Sequence, residues 1–346
     1  MVVTKKTFGK AKDGKEVFLY SVKNSKGNEI VTTNIGACLV SVFVKNDKGE
    51  VQDVVLGYDT VEGYEVNGGF FGGIIGPNAN RIANGKFKID GVEYTIAGNN
   101  NGNNLHSDYD IGFHKQYWNG EIVDNGVKFT YEMPDMLVGF PGNIKASVTY
   151  TLSEDNELKI EYEAVSDKKT VINMTNHSYF NLAGHKSGLK ALDTELTFNA
   201  SKFAEFIDGD GIPSGKLIDV KGTPMDFTTP KTIGKDIESS FEQMKIVKGY
   251  DHNYVVDGYD GTLRKIATAK NDGRTMEVYS DLPGFQFYTG NWIGDTAGKD
   301  GAKYGDRHAF CIETQYFPNS VNDPNFISPV IDAGKKYHTV TIYKFL

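Results

Sequence analysis

Val148-Thr149-Tyr150-Thr151-Leu152 and Leu158-Lys159-Ile160-Glu161-Tyr162-Glu163-Ala164 decide the fold class. In both runs apolar side chains occupy every second position with polar ones between them, the period of a strand with one wet face. Residues 153–156 between them read as a hairpin loop. Working outward, residues 17–22, 39–44, 196–198, 263–269, 275–280, 285–288, 310–313 and 340–343 read as further strands. Asp90-Gly91 and Asn125-Gly126 are two-residue hairpin signals, and Asn271-Asp272-Gly273 turns one late strand into the next. One short helix is expected over residues 231–240, opened by Pro230. Residues 293–305 are polar and Gly-rich and read as a surface loop. No repeat, low-complexity linker or composition shift marks a boundary. Many alternating strands without crossover helices predict an all-β protein, a large antiparallel β-sandwich forming a single domain over residues 1–346.

Composition agrees. The chain has 346 residues, with 39 Gly against 10 Pro, 19 Tyr and 21 Phe, a bias toward strands and tight turns. A chain of this size buries roughly 75% of its unfolded surface and needs no staples. The two cysteines, Cys38 and Cys311, lie in apolar contexts and read as buried free thiols. A net charge of -8 repels phosphate, which argues against nucleic acid as a partner. The N-terminus has no signal-peptide pattern, and no stretch approaches the roughly 18 apolar residues of a membrane span, so a cytoplasmic protein without a membrane partner is expected.

Chemistry concentrates in Thr175-Asn176-His177-Ser178-Tyr179-Phe180-Asn181-Leu182. A plain core strand does not spend so many polar groups at once, because each buried one needs a partner. A histidine flanked by groups able to fix its ring suits a positioned proton donor, so His177 is the expected chemical centre. Asn103-Asn104-Leu105-His106, Asp251-His252-Asn253-Tyr254 and Cys311-Ile312-Glu313-Thr314-Gln315 then have to converge on it. Glu313 lies in an apolar strand, where a carboxylate must be paired, at a strand end, or raised in pKa, and a raised pKa makes a competent base. Asp251 follows a turn, and Arg81 follows a Gly-rich stretch, where its fork of donors could hold hydroxyls. Residues 98–104 read as an active-site loop. Fixed Arg, Asp, His, Asn and Gln side chains suit a sugar, with Tyr179, Phe287 or Trp292 as the ring against its C–H face. There is no His-x-x-His or Cys-x-x-Cys pair, no dinucleotide or phosphate loop and no Gly-x-Ser-x-Gly elbow, so neither metal nor cofactor is expected.

The chain resembles the galactose mutarotases, or aldose 1-epimerases. Seven segments carry the resemblance in the family's order: Asn80-Arg81-Ile82, Asn104-Leu105-His106, Phe140-Pro141-Gly142, residues 175–182, Asp251-His252-Asn253, residues 286–291 and Glu313-Thr314-Gln315. The resemblance implies a β-sandwich with the sugar in an open cleft on one sheet. It implies Glu313 as the base at the anomeric hydroxyl and His177 as the acid at the ring oxygen. It further implies Arg81, His106, Asp251, Gln286 and Asn80 as substrate ligands. The expected partner is a free aldohexose, the expected assembly a monomer or homodimer. On the same reading, nearby negative charge should raise the pKa of His177. Ser107-Asp108, Pro77 and Leu137-Val138 depart from the family's usual residues near the cleft rim, and leave galactose, glucose and reducing disaccharides as candidate sugars. A non-catalytic sugar-binding module, a glycoside hydrolase pairing Glu313 with Asp251, and a hexose-6-phosphate epimerase are the competing readings. The last would want an extra Arg or Lys cluster, and none stands near these motifs.

Overall fold

In the computed structural model, which describes residues 1–346, the alternating runs form Ile144–Leu152 and Glu157–Ser166, with Leu152 opposite Leu158. They sit inside a nine-stranded antiparallel sheet that begins at Asn119–Val123 and Gly126–Met133. On the other side the sheet continues through Lys336–Phe345, Arg274–Ser280, Arg264–Asn271, Glu195–Phe198 and Lys231–Thr232. A five-stranded sheet orders Pro213–Asp219, Lys202–Phe206, Asp251–Val255, Gly284–Tyr288 and Cys311–Gln315. A second five-stranded sheet is built from the first 53 residues, Val2–Lys10 to Val51–Asp53.

The smaller late sheet packs on the large one. Phe198 makes edge-to-face contacts with Tyr254, Phe285 and Phe287, with ring centroids 5.0, 5.1 and 5.2 Å away. Thr314 Oγ1 and Thr341 Oγ1 are bonded across the layers, and Tyr343 Oη donates to the carbonyl of Ile312 at 3.1 Å. One continuous apolar core of 61 buried residues fills the space between, which identifies this as the sandwich interface. Both cysteines are buried free thiols. No helix is long and apolar enough to cross a membrane.

Three expectations need correction. The turn after Val123 is shifted by one residue: Val123 pairs with Gly126, so Asp124 and Asn125 form the turn and Gly126 opens the strand. A Cβ at Gly126 would stand 2.1 Å from the carbonyl oxygen of Tyr150, so this glycine serves close strand approach. The expected helix over residues 231–240 is absent. Lys231–Thr232 joins the large sheet as its edge and Ile233–Lys235 is a single 3-10 turn. Thr232 and Ile233 are β-branched, Gly234 is a poor helix former, and buried Ile233 and Ile237 dock the segment on the sheet. The short helices that do form are Val61–Val66, whose Thr60 hydroxyl caps Gly63 N, and Glu242–Ile246. Residues 293–305, expected as a surface loop, pair Thr296–Ala297 with Lys303–Tyr304 and bury Lys299, whose ammonium bonds Asp53 Oδ2 at 2.6 Å.

Arg274 ties the parts together. It is fully buried, and its guanidinium donates to the carbonyls of Val44, Glu50 and Leu182 and to Asp272 Oδ2. Val44 belongs to the N-terminal sheet, Leu182 ends the polar stretch around His177, and Arg274 lies in the large sheet. Replacing Arg274 with Met strands the buried carbonyls of Val44 and Leu182, each costing about 1–3 kcal/mol unless it relaxes or hydrates, and frees the partly buried one of Glu50. Urea unfolding of Arg274→Met is expected to show a loss of about 3 kcal/mol, only partly recovered in Arg274→Lys. A loss below about 0.5 kcal/mol would contradict this role.

Candidate active site

The five-stranded late sheet turns one face to the core and the other to a cleft. Along Gly284–Tyr288, Phe285 and Phe287 point into the core, while Gln286 and Tyr288 line the cleft. Register then selects their neighbours: Gln286 stands opposite Asn253 on one side and Glu313 on the other, and Tyr288 opposite Asp251 and Cys311. Residues directly opposite share a face, so Asp251, Gln286, Tyr288 and Glu313 all reach one hollow of about 440 Å³. Phe287, expected as a candidate sugar platform, is therefore a core residue; alternation assigns it to the other side.

Arg81 and His106 come from a second element. The short strand Arg81–Ile82 pairs with Asn104–Leu105, which sets Leu105 opposite Arg81. His106 is held at two points: its N–H donates to the carbonyl of Asn80 at 3.0 Å, and its Nδ1 accepts from Asn80 N at 3.1 Å. An accepting Nδ1 leaves the proton of the neutral ring on Nε2. The backbone is unusual here, with φ of 60° at Asn80, 55° at His106 and 67° at Ser107. Such left-handed non-glycine residues cluster at functional sites. Ser107 fastens this conformation with its hydroxyl bonded to the N–H and carbonyl of Asn78. The Asn80 amide oxygen accepts from Arg81 N, so Asn80 both lines the cleft and shapes it. Arg81 Nε donates to Asn100 Oδ1 at 3.3 Å, and its guanidinium makes no ion pair.

His177 follows Thr175–Asn176, which pairs with Ile74–Ile75. Its N–H donates to the carbonyl of Gly73 and its carbonyl accepts from Gly72 N, so the backbone is pinned from both sides. Gly72 has φ of 66°, and a Cβ there would meet the Leu39 carbonyl oxygen at 2.0 Å, so only glycine fits. The ring lies between Tyr179 and Phe70, near-parallel at 4.9 and 5.7 Å. Cys311 Sγ is 3.5 Å from Nδ1, and Nε2 is 3.6 Å from Glu313 Oε1. The asparagines on either side of His177 do other work. Asn176 bonds Tyr162 and Tyr343 in the core, and Asn181 bonds the carbonyls of Leu189 and His308. Only His177 and Tyr179 of this stretch line the cleft.

Electrostatics are set by burial. Glu313 is 2% exposed, and its Oε2 has no hydrogen-bond partner. Burial pushes its carboxyl well above the usual range, the charge of Asp251 pushes the same way, and Arg81 opposes both. Asp251 is raised by burial too, offset by Arg81 and by Gln286 Nε2, which donates to its Oδ1 at 2.7 Å. Gln286 Oε1 is a second buried acceptor without a partner. Burial holds His177 down to about 3 and His106 well below its ordinary value, with the charges of His177 and Arg81 adding to the latter. The expected rise of His177 is thus reversed: Glu313 is itself too desolvated for its charge to overcome the burial of the imidazole. In the unliganded cleft, burial favours neutral imidazole and carboxylic acid over an ion pair.

Sequence reading missed Phe70. It has φ of 60° and its ring meets His106 at 4.9 Å as well as His177. The available signal was Gly68-Gly69 immediately before it, which frees the chain to enter the cleft. His106, His177 and Glu313 bring ligand atoms within 4.8 Å of one another, close enough for a divalent ion. Either nitrogen of His106 could bind one only by giving up the bond from Asn80 N, so the donor set is built for hydrogen bonding.

The aldose 1-epimerase family model matches residues 19–344. Galactose mutarotase of Bos taurus is 40% identical over 315 residues, 90% of this chain and 89% of that one. Aldose 1-epimerase of Escherichia coli K12 is 34% identical over 344 residues, covering 97% of each chain. Among solved structures, galactose 1-epimerase from Lactobacillus acidophilus NCFM superposes with a TM-score of 0.87 at 27% identity, covering 100% of this chain and 98% of that one. An epimerase homologue from C. elegans gives 0.85 at 27% identity, covering 94% and 98%. The chain is an isomerase and belongs to the aldose 1-epimerase family.

Proposed function

We propose that the cleft interconverts the α and β anomers of a free aldohexose such as D-galactose or D-glucose by opening and reclosing the pyranose ring. The observation that carries this reading is a buried carboxyl group whose Oε1 lies 3.6 Å from the Nε2 of a buried imidazole and whose Oε2 has no partner, both residues facing one hollow. Glu313 takes the proton from the anomeric hydroxyl while His177 gives one to the ring oxygen. The C1–O5 bond breaks, its electrons pass to O5, and C1=O1 forms. Rotation about C1–C2 presents the other carbonyl face. The same groups then work in reverse, Glu313 returning its proton to O1 and His177 recovering one from the O5 hydroxyl.

Proton accounting suits the electrostatics. Carboxylate and imidazolium open the ring; carboxylic acid and imidazole close it. The pair carries one proton throughout, so no exchange with solvent is needed within a turnover. Burial favours the form that faces the open-chain aldehyde, which lowers the cost of reaching it. Arg81, His106 through Nε2–H, Asn80 through its amide N–H and the acceptors Asp251 and Gln286 are proposed to hold the hydroxyls and ring oxygen. A single free sugar fits the volume of the cleft, and the chemistry asks for no cofactor.

Polarimetry tests the reading first. Enzyme added to fresh α-D-galactose and α-D-glucose is expected to speed the decay of rotation well past the spontaneous rate. An unchanged decay for both sugars, with binding retained, would leave a sugar-binding module instead. Glu313→Gln is expected to lower kcat by about 10²- to 10⁴-fold with little change in KM; near-normal kcat would reassign the base. The pH profile follows from the pair holding one proton. Adding a second is governed by His177, held down to about 3, so kcat/KM should persist at pH 5. Losing the first is governed by the raised Glu313, which sets an alkaline limb. An acid limb at the ordinary histidine value of about 6.5 would contradict this.

A further inference from the structure

We propose that Trp292 and the hollow beside it form a second sugar subsite, which takes the non-reducing unit of a disaccharide whose reducing aldohexose occupies the cleft. The proposal deepens the ring-opening reading by extending its substrate beyond one ring.

Trp292 is an anchored residue with an unanchored ring. Asn291 is buried, donates through Nδ2 to the carbonyls of Val247 and Tyr250 at 3.0 Å each, and accepts from Thr289 Oγ1 at 2.7 Å. Trp292 N itself donates to Tyr288 Oη at 3.1 Å. Yet the residue is 51% exposed, and its indole N–H has no protein partner. A large apolar ring held in water costs free energy, which a ligand that covers it recovers, and the pinned backbone keeps the ring's place on the rim. Its face offers a pyranose apolar area and a negative quadrupole for C–H groups, and its N–H offers a hydroxyl a donor.

The ring is also continuous with the reacting groups. Tyr288 is the common neighbour: its centroid is 6.2 Å from that of His177 and 6.1 Å from that of Trp292, and the planes of Tyr288 and Trp292 differ by 18°. An aromatic wall therefore runs from the imidazole to the rim. Beyond that rim lies a second hollow of about 710 Å³, which shares Gly68, Gly69 and Trp292 with the cleft. Tyr58, Asp59 and Asp295 line its far side and bring a phenol and two carboxylates. Asp59 spends one oxygen on Asp300 N at 2.7 Å, which leaves the other for a hydroxyl.

Gly68 is the junction. It does not adopt a left-handed φ, and a Cβ built on it would meet no atom within 4 Å. Neither backbone geometry nor crowding demands glycine there, so its missing side chain leaves the passage between the two hollows open. A larger residue at this position would narrow that passage without straining the chain.

The test compares lactose and maltose with galactose and glucose. In polarimetry, Trp292→Ala is expected to lower the ratio of kcat/KM for disaccharide over monosaccharide by roughly fivefold, the scale of one stacking contact. Gly68→Leu, which keeps the indole, should lower the same ratio by closing the junction. A ratio unchanged in both variants overturns the subsite. A binding arm needs no turnover. Only two tryptophans exist, and Trp118 is buried, so acrylamide quenching reads Trp292. Lactose and maltose should shield it more than galactose and glucose do; equal shielding also overturns the proposal. Greater shielding by the disaccharides from a protein that mutarotates no sugar would sustain the subsite and refute the ring-opening reading instead.

Discussion

A carboxylate placed between a hydrophobic core and a polar cleft is the constraint on which the rest depends. Glu313 sits on a strand whose neighbours in sequence, Ile312 and Thr314, face the sandwich interface. Its own side chain therefore has one way to go, into the cleft, where no lysine or arginine forms an ion pair with it and Arg81 offsets its charge only in part. Water is largely excluded, so the charged form is costly and the proton is held more tightly than on an exposed glutamate. His177 stands beside it under the same penalty with the opposite sign. The two penalties invert the ordinary order of proton affinity, so the proton the pair shares rests on the carboxyl and the imidazole is neutral.

Everything around the pair fixes it in place. The N-terminal sheet contributes through Gly72, whose close approach to Leu39 brings Gly72 and Gly73 to the backbone of His177. Phe70 and Tyr179 clamp the ring from its two faces. Strain at Asn80, His106 and Ser107 is held by specific bonds, the Ser107 hydroxyl to Asn78 among them. Precision of this kind is what the proposed proton transfer requires, since small misplacements cost large factors in rate.

Much of the fold was legible because strand periodicity is local. Asp90-Gly91 forms its expected turn, with φ of 51° and 82°, and the alternation from Leu158 to Ala164 predicts which side chains reach the core. Glu313 and His177 stood out because polar groups in apolar strands demand partners. What was not legible depended on distant packing. Nothing within residues 231–240 announces that the segment will edge a sheet whose next strand begins at Glu195. Lys299 disappears into the fold only because Asp53 waits for it. Phe70 is invisible until the chain folds back over His177. The sign of the shift on His177 also escaped, because sequence shows that a carboxylate is near but not that both groups are dry. The polar stretch from Thr175 to Asn181 marks His177, which does line the cleft, for a partly mistaken reason, since Asn176 and Asn181 serve structure.

The direct measurement is a carbon-13 NMR titration of the Glu313 carboxyl carbon in the sugar-free protein, assigned by its loss in Glu313→Gln. The account predicts that this carboxyl stays protonated well above the value of about 4.3 at which an exposed glutamate ionises. Ionisation at or below that ordinary value would contradict it, because the site would then hold a solvated charge and not a buried shared proton.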